Sequence, residues 1–210
     1  MTCDSIVSPV TIKRNTISTF TILEFSILDI IGAVIGLFYI VSEYRADRWL
    51  WPISLLMSLF YIIIDFSAGY FANGSICCYN FIMSIYGILV WRGLIKSKEK
   101  VDRPISSCPV SYVKWIVAAV AVLSLFLWWL LGFIGESNHP LIDGISAGLS
   151  IVGMWMLTQK WWQQWICWML ANPMMVVLFW LSGNYASAVL YIVFEVFCIM
   201  GIISWRRKSI

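Results

Sequence analysis

Shifted by 114 positions, residues 28–92 fall on residues 142–206 without a gap. Of the 65 paired positions 12 are identical, among them Asp29 with Asp143, Ala33 with Ala147 and Trp51 with Trp165. Gly69 meets Gly183, Ala72 meets Ala186, Gly87-Ile88 meets Gly201-Ile202, and the frame closes on Trp91-Arg92 against Trp205-Arg206. Two fused halves of one pattern restrict the fold to two similar units with an interface between them. In a membrane chain that interface carries a path, because a site between repeats can be opened from either side. Movement of a solute is therefore the first function to weigh.

Composition decides that the bilayer is the solvent. Hydrophobic residues make up 61% of the 210 and charged residues 12%, with a mean hydropathy of +0.86. A water-soluble domain of this size needs more charge on its surface. The apolar residues fall into seven segments, at about 23–44, 49–66, 70–92, 113–134, 140–159, 161–181 and 184–205. Each approaches the ~20 residues a helix needs to cross the hydrocarbon. The expected fold is an all-α membrane bundle of seven helices in a 3+1+3 arrangement, with the odd fourth helix letting two three-helix units run parallel, as in SWEET-type bundles.

The expected organisation is an extracytoplasmic segment (1–22), a first repeat (23–92), a linker with its connecting helix (93–139), a second repeat (140–206) and a short tail (207–210). Residues 1–20 lack the apolar core of a signal peptide. Of the 14 basic residues, 12 fall on one side: Arg45 and Arg48, six around the linker from Arg92 to Lys114, then Lys160 and Arg206 to Lys208. The positive-inside rule puts that side in the cytoplasm, with the N-terminus outside and the C-terminus inside. The 92–112 loop, with Pro104 and Pro109, is expected to be a solvated linker whose charge sets topology.

Two stripes carry the site expectation. Trp161, Trp165, Trp168 and Asn172 fall within roughly 60° of arc on a helix. Asn73, Cys77, Asn80 and Ser84 have the same spacing. The 114-residue shift carries the first stripe onto Asp47, Trp51, Ser54 and Ser58, and the second onto Ser187, Tyr191, Phe194 and Cys198. Related faces of both halves can then converge on one axis. Indoles followed by an amide suit a flat or cationic ring, the π faces attracting it and the amide orienting it. The competing reading makes the Trp residues membrane anchors, and it holds best for Trp161 and Trp162.

Asn80 and Asn172 must find partners in hydrocarbon, either across helices or on a solute. Glu195 in the seventh span can pair with a cationic solute, carry a proton, or hydrogen-bond as the neutral acid. Asp29 and Asp143 lie near the outer face, and Asp65 is a further intramembrane acid. Glu43 with Arg45, and Asp47 with Arg48, are expected as interfacial ion pairs. Pro173 frees the carbonyl of Met169, which makes a ligand, a hinge or a static kink. Gly32 with Gly36, and Ser146 with Ser150, read as close helix packing.

No catalytic constellation appears, and the expectation is that the chain is not an enzyme. His139 is the single histidine, Gly-rich nucleotide loops are missing, and the last span has no lysine for a retinal Schiff base. Six cysteines show no metal-ligand spacing and read as small apolar residues. No cofactor is expected.

With these residues in place, the chain resembles the PnuC-type (Pnu family) vitamin transporters over nearly all of 24–207. The specific part is Trp165-x-x-Trp168-x-x-x-Asn172, preceded by Lys160 and Gln164. Phe71-Ala72-Asn73, Tyr79, Tyr86-Gly87 with Trp91, and Tyr191, Gly201 and Trp205 support it. The resemblance implies a homotrimer in the bacterial inner membrane, with one path per protomer and facilitated diffusion of a vitamin. A separate cytoplasmic kinase would trap the solute by phosphorylation.

The resemblance also implies that Trp165, Trp168 and Asn172 line the site, with Asn73, Cys77 and Asn80 opposite; the shift adds Tyr191, and the buried acid adds Glu195. Nicotinamide riboside leads as the solute, for NAD synthesis. Thiamine follows, because Cys77 stands where the riboside branch shows Gln, and Glu43-Tyr44-Arg45-Ala46 looks closer to the thiamine branch. Asn80 in place of Tyr and Gln163 in place of Glu are further departures. A sugar facilitator, and a membrane sensor or scaffold that transports nothing, are the readings from other classes.

Overall fold

Prolines and left-handed turns fix where the helices begin and end. The computed structural model describes residues 32, 34–68, 71–95, 104–135, 137–183 and 185–209, with 64, 65, 68, 72, 73 and 186 described by backbone alone. Among these residues run seven helices: α1 over 34–45, α2 Leu50–Ala68, α3 Phe71–Trp91, α4 Val110–Ile134, α5 Pro140–Thr158, α6 Gln164–Leu181 and α7 Tyr185–Lys208. Pro52 stands in the first turn of α2, Pro140 opens α5 and Pro109 immediately precedes α4. A missing N–H costs nothing at such positions. Five helices (α3 to α7) contain runs long and apolar enough to cross a membrane, and α2 contributes a shorter apolar run over Leu50–Ile63.

The turns after α1 and α5 are built alike. Ala46 and Lys160, 114 residues apart, both take left-handed backbone, at φ 55° and 56°. Ala46 N–H donates to Glu43 O at 3.0 Å and Asp47 N–H to Ser42 O at 2.9 Å; Lys160 N–H donates to Leu157 O at 2.9 Å and Trp161 N–H to Met156 O at 3.3 Å. Each set closes a helix end in the Schellman pattern without the usual glycine. A left-handed residue with a Cβ costs ~1–2 kcal/mol, so the tight reversal is held by its surroundings.

Helix contacts also recur across the two halves. α2 packs on α3, α6 on α7, α4 on α5, α5 on α6, and α3 on α5. On α1, Gly36 lies against Phe194 and Leu190 of α7, and Gly32 against Tyr61 of α2. The α1–α7 and α3–α5 contacts exchange under the 114-residue shift. The Tyr79 hydroxyl adds a hydrogen bond to Ile151 O at 2.8 Å across the second of them.

The core gathers at the end of the bundle nearest the linker. There Trp51, Trp91, Trp165 and Trp205 are buried together with Leu50, Val90 and Leu157. Trp51 meets Trp91 edge-on at 5.2 Å and 90°, and Trp165 meets Trp205 at 5.7 Å and 86°. Gly87 and Gly201 make the room, since a Cβ at either would overlap the indole of Trp51 or Trp165. The paired Trp and Gly identities of the repeat are thus one packing unit built twice. Trp205 also donates its indole N–H to Tyr44 O at 3.0 Å, tying α7 to α1.

Several expectations change here. Trp161 and Trp162 are not on α6, because the left-handed Lys160 turns the backbone out of the helix before them. Trp161 instead packs on Trp155 at 5.2 Å and Tyr112 at 5.6 Å. The described part of the linker is docked rather than solvated. Ser106 N–H donates to Lys160 O at 3.0 Å and Trp162 N–H to Ser106 O at 3.1 Å, an isolated parallel bridge. Cys108 N–H donates to Gln163 Oε1 at 2.9 Å, and the Trp162 indole N–H to Ser107 Oγ at 3.0 Å.

The closest helix packing involves Gly144 and Gly148, where an added Cβ would strike the α4 backbone at Trp128 and Ser124. Residues 1–31, Asp29 among them, and the linker lysines 96–100 with Arg103, lie outside the described residues.

Gly201→Ala should lower stability by about 1–3 kcal/mol, because Trp165 is fully buried and cannot swing aside. A thermal melt of the detergent-purified variant that overlays the parent would show that the Trp-on-Gly contact is not tight.

Candidate functional site

The polar stripes converge on a cavity of about 550 Å³. α2 contributes Ser54, Ser58 and Tyr61, α3 contributes Cys77 and Asn80, and α6 contributes Trp168, Asn172 and Phe179. α7 adds Ser187, Leu190, Tyr191, Phe194 and Cys198, while α5 adds Asp143, Ser146, Ser150 and Met154. α1 supplies Tyr39, Ile40 and Glu43. A volume in this range holds a small organic solute.

The cavity occupies one end of the bundle only. Ser137 and Asp143 mark its limit at the α4–α5 loop, where the Ser137 hydroxyl bonds the Asp143 carboxylate. Toward the linker it stops at Glu43, Met154, Trp168 and Cys198. Below that level the four core indoles pack with Leu50 and Leu157 into a buried cluster, and among the described residues none of these lines the cavity. The site is thus closed at the linker end by packing.

One wall is aromatic. Phe179, Tyr191 and Phe194 form a chain of rings, 5.3 Å and then 5.4 Å between centroids. On the same face of α6, three turns before Phe179, the Trp168 indole lies in the space that Gly153 of α5 leaves. Asn172, one turn beyond Trp168, is buried and donates to Cys198 Sγ at 3.2 Å and to Glu195 Oε2 at 3.4 Å. On the facing side Ser84 Oγ shares a hydrogen bond of 2.7 Å with Ser54 Oγ and donates to Asn80 O at 2.7 Å. Such an enclosure can stack a ring and offer amides and hydroxyls to its edge.

The eight expected site residues separate on this geometry. Trp168, Asn172, Cys77, Asn80 and Tyr191 line the cavity. Trp165 does not: it is turned about a sixth of a helix turn from Trp168 and buried against Gly201 and Trp205, as Trp51 is against Gly87 and Trp91. Glu195 stands behind Asn172, half-buried, and touches the cavity only through that amide. The side chain of Asn73 lies outside the described residues, as do those of Asp29 and Asp65. α6 runs unbroken through Pro173, and Met169 is not part of the lining.

Three cavity features differ from the sequence reading. Glu43 does not pair with Arg45: the acid is 1% exposed and faces the cavity, while Arg45 is exposed. Two residues apart on a helix, the two side chains point about 200° from one another. Ser146 and Ser150 line the cavity rather than a helix contact, and each hydroxyl also donates to a carbonyl of its own helix. Tyr39 and Tyr61, unremarkable in sequence, complete the wall from α1 and α2.

Trp168→Ala should weaken solute binding about tenfold or more with the fold retained, as expected when a stacking face is lost. Trp165→Ala should instead cost about 3–5 kcal/mol of stability by opening a core cavity. Ligand titration and thermal melting of both variants separate the two roles. Equal loss of binding with equal melts would contradict the assignment.

Comparison with known proteins places this architecture. The family model described as nicotinamide mononucleotide transporter matches residues 26–207. Similar proteins include the nicotinamide riboside transporter PnuC of Escherichia coli (strain K12), 23% identical over 89% of this chain and 87% of the relative. The riboflavin/roseoflavin transporter RibM of Streptomyces davaonensis is 25% identical over 86% of this chain and 85% of its own. The crystal structure of the vitamin B3 transporter PnuC shares the fold at a TM-score of 0.70 with 19% identity, covering 90% of this chain and 86% of that one. With a family match running from before α1 to the end of α7, the chain belongs to the nicotinamide mononucleotide transporter family of multi-pass membrane transporters.

Proposed function

We propose that the chain moves a ring-bearing vitamin or vitamin precursor across the bacterial inner membrane by facilitated diffusion, with nicotinamide riboside as the leading solute and NAD synthesis as its destination. The observation that carries this is the cavity wall, where the Trp168 indole and, one turn on, Asn172 share the lining with Asn80 and Tyr191. A flat, cationic ring gains from the π face, and its polar substituents gain from the amides. The two named relatives carry ring-bearing vitamins of different size, which supports the solute class more than any one member of it.

Thiamine is the second reading. It is favoured by Cys77, which offers no amide for a ribose, and by Glu43, which adds an acid to the cavity floor.

The working unit in this proposal is a 3+1+3 bundle in which α1–α3 and α5–α7 are parallel repeats joined by α4. The matched turns at Ala46 and Lys160 and the matched Trp-on-Gly contacts support it. The basic residues put the linker end in the cytoplasm, so the cavity lies on the outer side of a closed inner end. Family resemblance adds a homotrimer with one path per protomer, and a cytoplasmic kinase that traps the solute. Opening the inner end would require the two halves to move apart around the cavity.

Proteoliposomes holding the purified protein test the proposal with labelled nicotinamide riboside, thiamine and riboflavin. The expected result is saturable exchange of one of them that runs down its gradient without ATP or a proton gradient. Flux seen only under an imposed proton gradient would rule out facilitated diffusion. Flux of none of the three would remove the vitamin assignment.

A further inference from the structure

The floor of the cavity holds polar groups that the fold satisfies only in part. The Glu43 carboxyl is 1% exposed and has Tyr39, Gln164 and Trp168 as its polar side-chain neighbours. Gln164, Tyr39 and Trp168 turn donors toward the carboxyl, but at Glu43 Oε1, the Gln164 amide and the Trp168 indole N–H the approach falls short of full hydrogen-bond geometry. Glu43 and Trp168 line the cavity, and Gln164 lies behind them with no exposed surface. Unsatisfied groups buried this deeply are destabilising, more so when one is an acid.

Packing does not require them. The 114-residue shift exchanges Glu43 with Leu157 and Gln164 with Leu50, and both leucines are fully buried in the matching places. The same niche is therefore filled by two leucines in one half and by a carboxyl with an amide in the other. A buried polar pair is often no more stabilising than apolar residues of similar volume. The difference between the halves lies at the boundary between the cavity and the closed end.

We propose that Glu43 is a solute-recognition residue, whose carboxyl accepts hydrogen bonds from an N–H-bearing or cationic ring edge stacked on Trp168, with Gln164 as its positioning residue. This deepens the transport reading above and rests on it. An amide or amino substituent has the N–H groups that such an acceptor needs, whereas a carboxylate at the same ring position brings like charge against it. The site should therefore discriminate nicotinamide riboside from nicotinic acid riboside, rings of nearly the same shape.

The test is binding of both ribosides to the purified parent, E43Q, E43L and Q164L, with a thermal melt of each. The parent should prefer the amide over the acid, and E43Q should narrow that preference by about tenfold or more, the worth of a charge-assisted hydrogen bond. E43L should lose affinity for the amide while melting no lower than the parent, because Leu already fills the matching position. Q164L should weaken binding less than E43L.

A preference unchanged in E43Q, or full affinity in E43L, would overturn the role of Glu43 while leaving the transport reading intact. Loss of folding in E43L with an unchanged preference in E43Q would make Glu43 structural, which also overturns it. A parent that binds neither riboside, nor thiamine or riboflavin, would remove both readings.

Discussion

The contact on which the rest of the structure depends is the seating of an indole on a glycine, made once in each half. Trp51 on Gly87 and Trp165 on Gly201 each bring two helices closer than any side chain at the glycine would permit. In a bilayer, where apolar burial gives no advantage over lipid, such close approach is what holds helices together. The second Trp of each pair, Trp91 or Trp205, then packs edge-on and completes a solid block at the linker end. The space the helices enclose survives only beyond that block, so the position of the cavity follows from the packing.

Within the cavity the polar groups have unequal standing. Ser54 and Asn172 are bound to neighbouring helices, Ser54 through Ser84 behind it, and they brace the wall as well as line it. Ser146 and Ser150 turn part of their bonding back onto their own helix. Among the described lining residues, it is Glu43 and Trp168 at the floor that keep buried polar atoms short of full hydrogen bonds. A wall satisfied in itself is rigid, and an unsatisfied floor gains most from an incoming partner. That division gives preorganisation without filling the site.

Much of this was legible in the sequence, but not always with the right meaning. The 114-residue shift found Trp51, Trp165, Gly87, Gly201, Trp91 and Trp205 together, and these are the packing block rather than the solute wall. Helical spacing placed Cys77, Asn80, Trp168, Asn172 and Tyr191 on faces that do meet, because periodicity reports direction on a helix well. It could not separate Trp165 from Trp168, which share a broad stripe yet face different neighbours.

Trp161 and Trp162 were misplaced because a left-handed Lys160 has no compositional sign; glycine would have announced the turn. Glu43 was hidden by its neighbour, since a nearby Arg45 reads as a partner until the helix turns the two apart. The docking of residues 104–109 has no local pattern at all, being set by a turn more than fifty residues away.

That docked segment has a consequence for populations. Four hydrogen bonds join residues 106–108 to the α5–α6 turn and the first residues beyond it. At ~0.5–1.5 kcal/mol net for each, these bonds alone hold the released fraction between roughly a few per cent and about one in twenty-five thousand. Moving the α5–α6 turn away from residues 106–108 therefore carries the cost of all four bonds together.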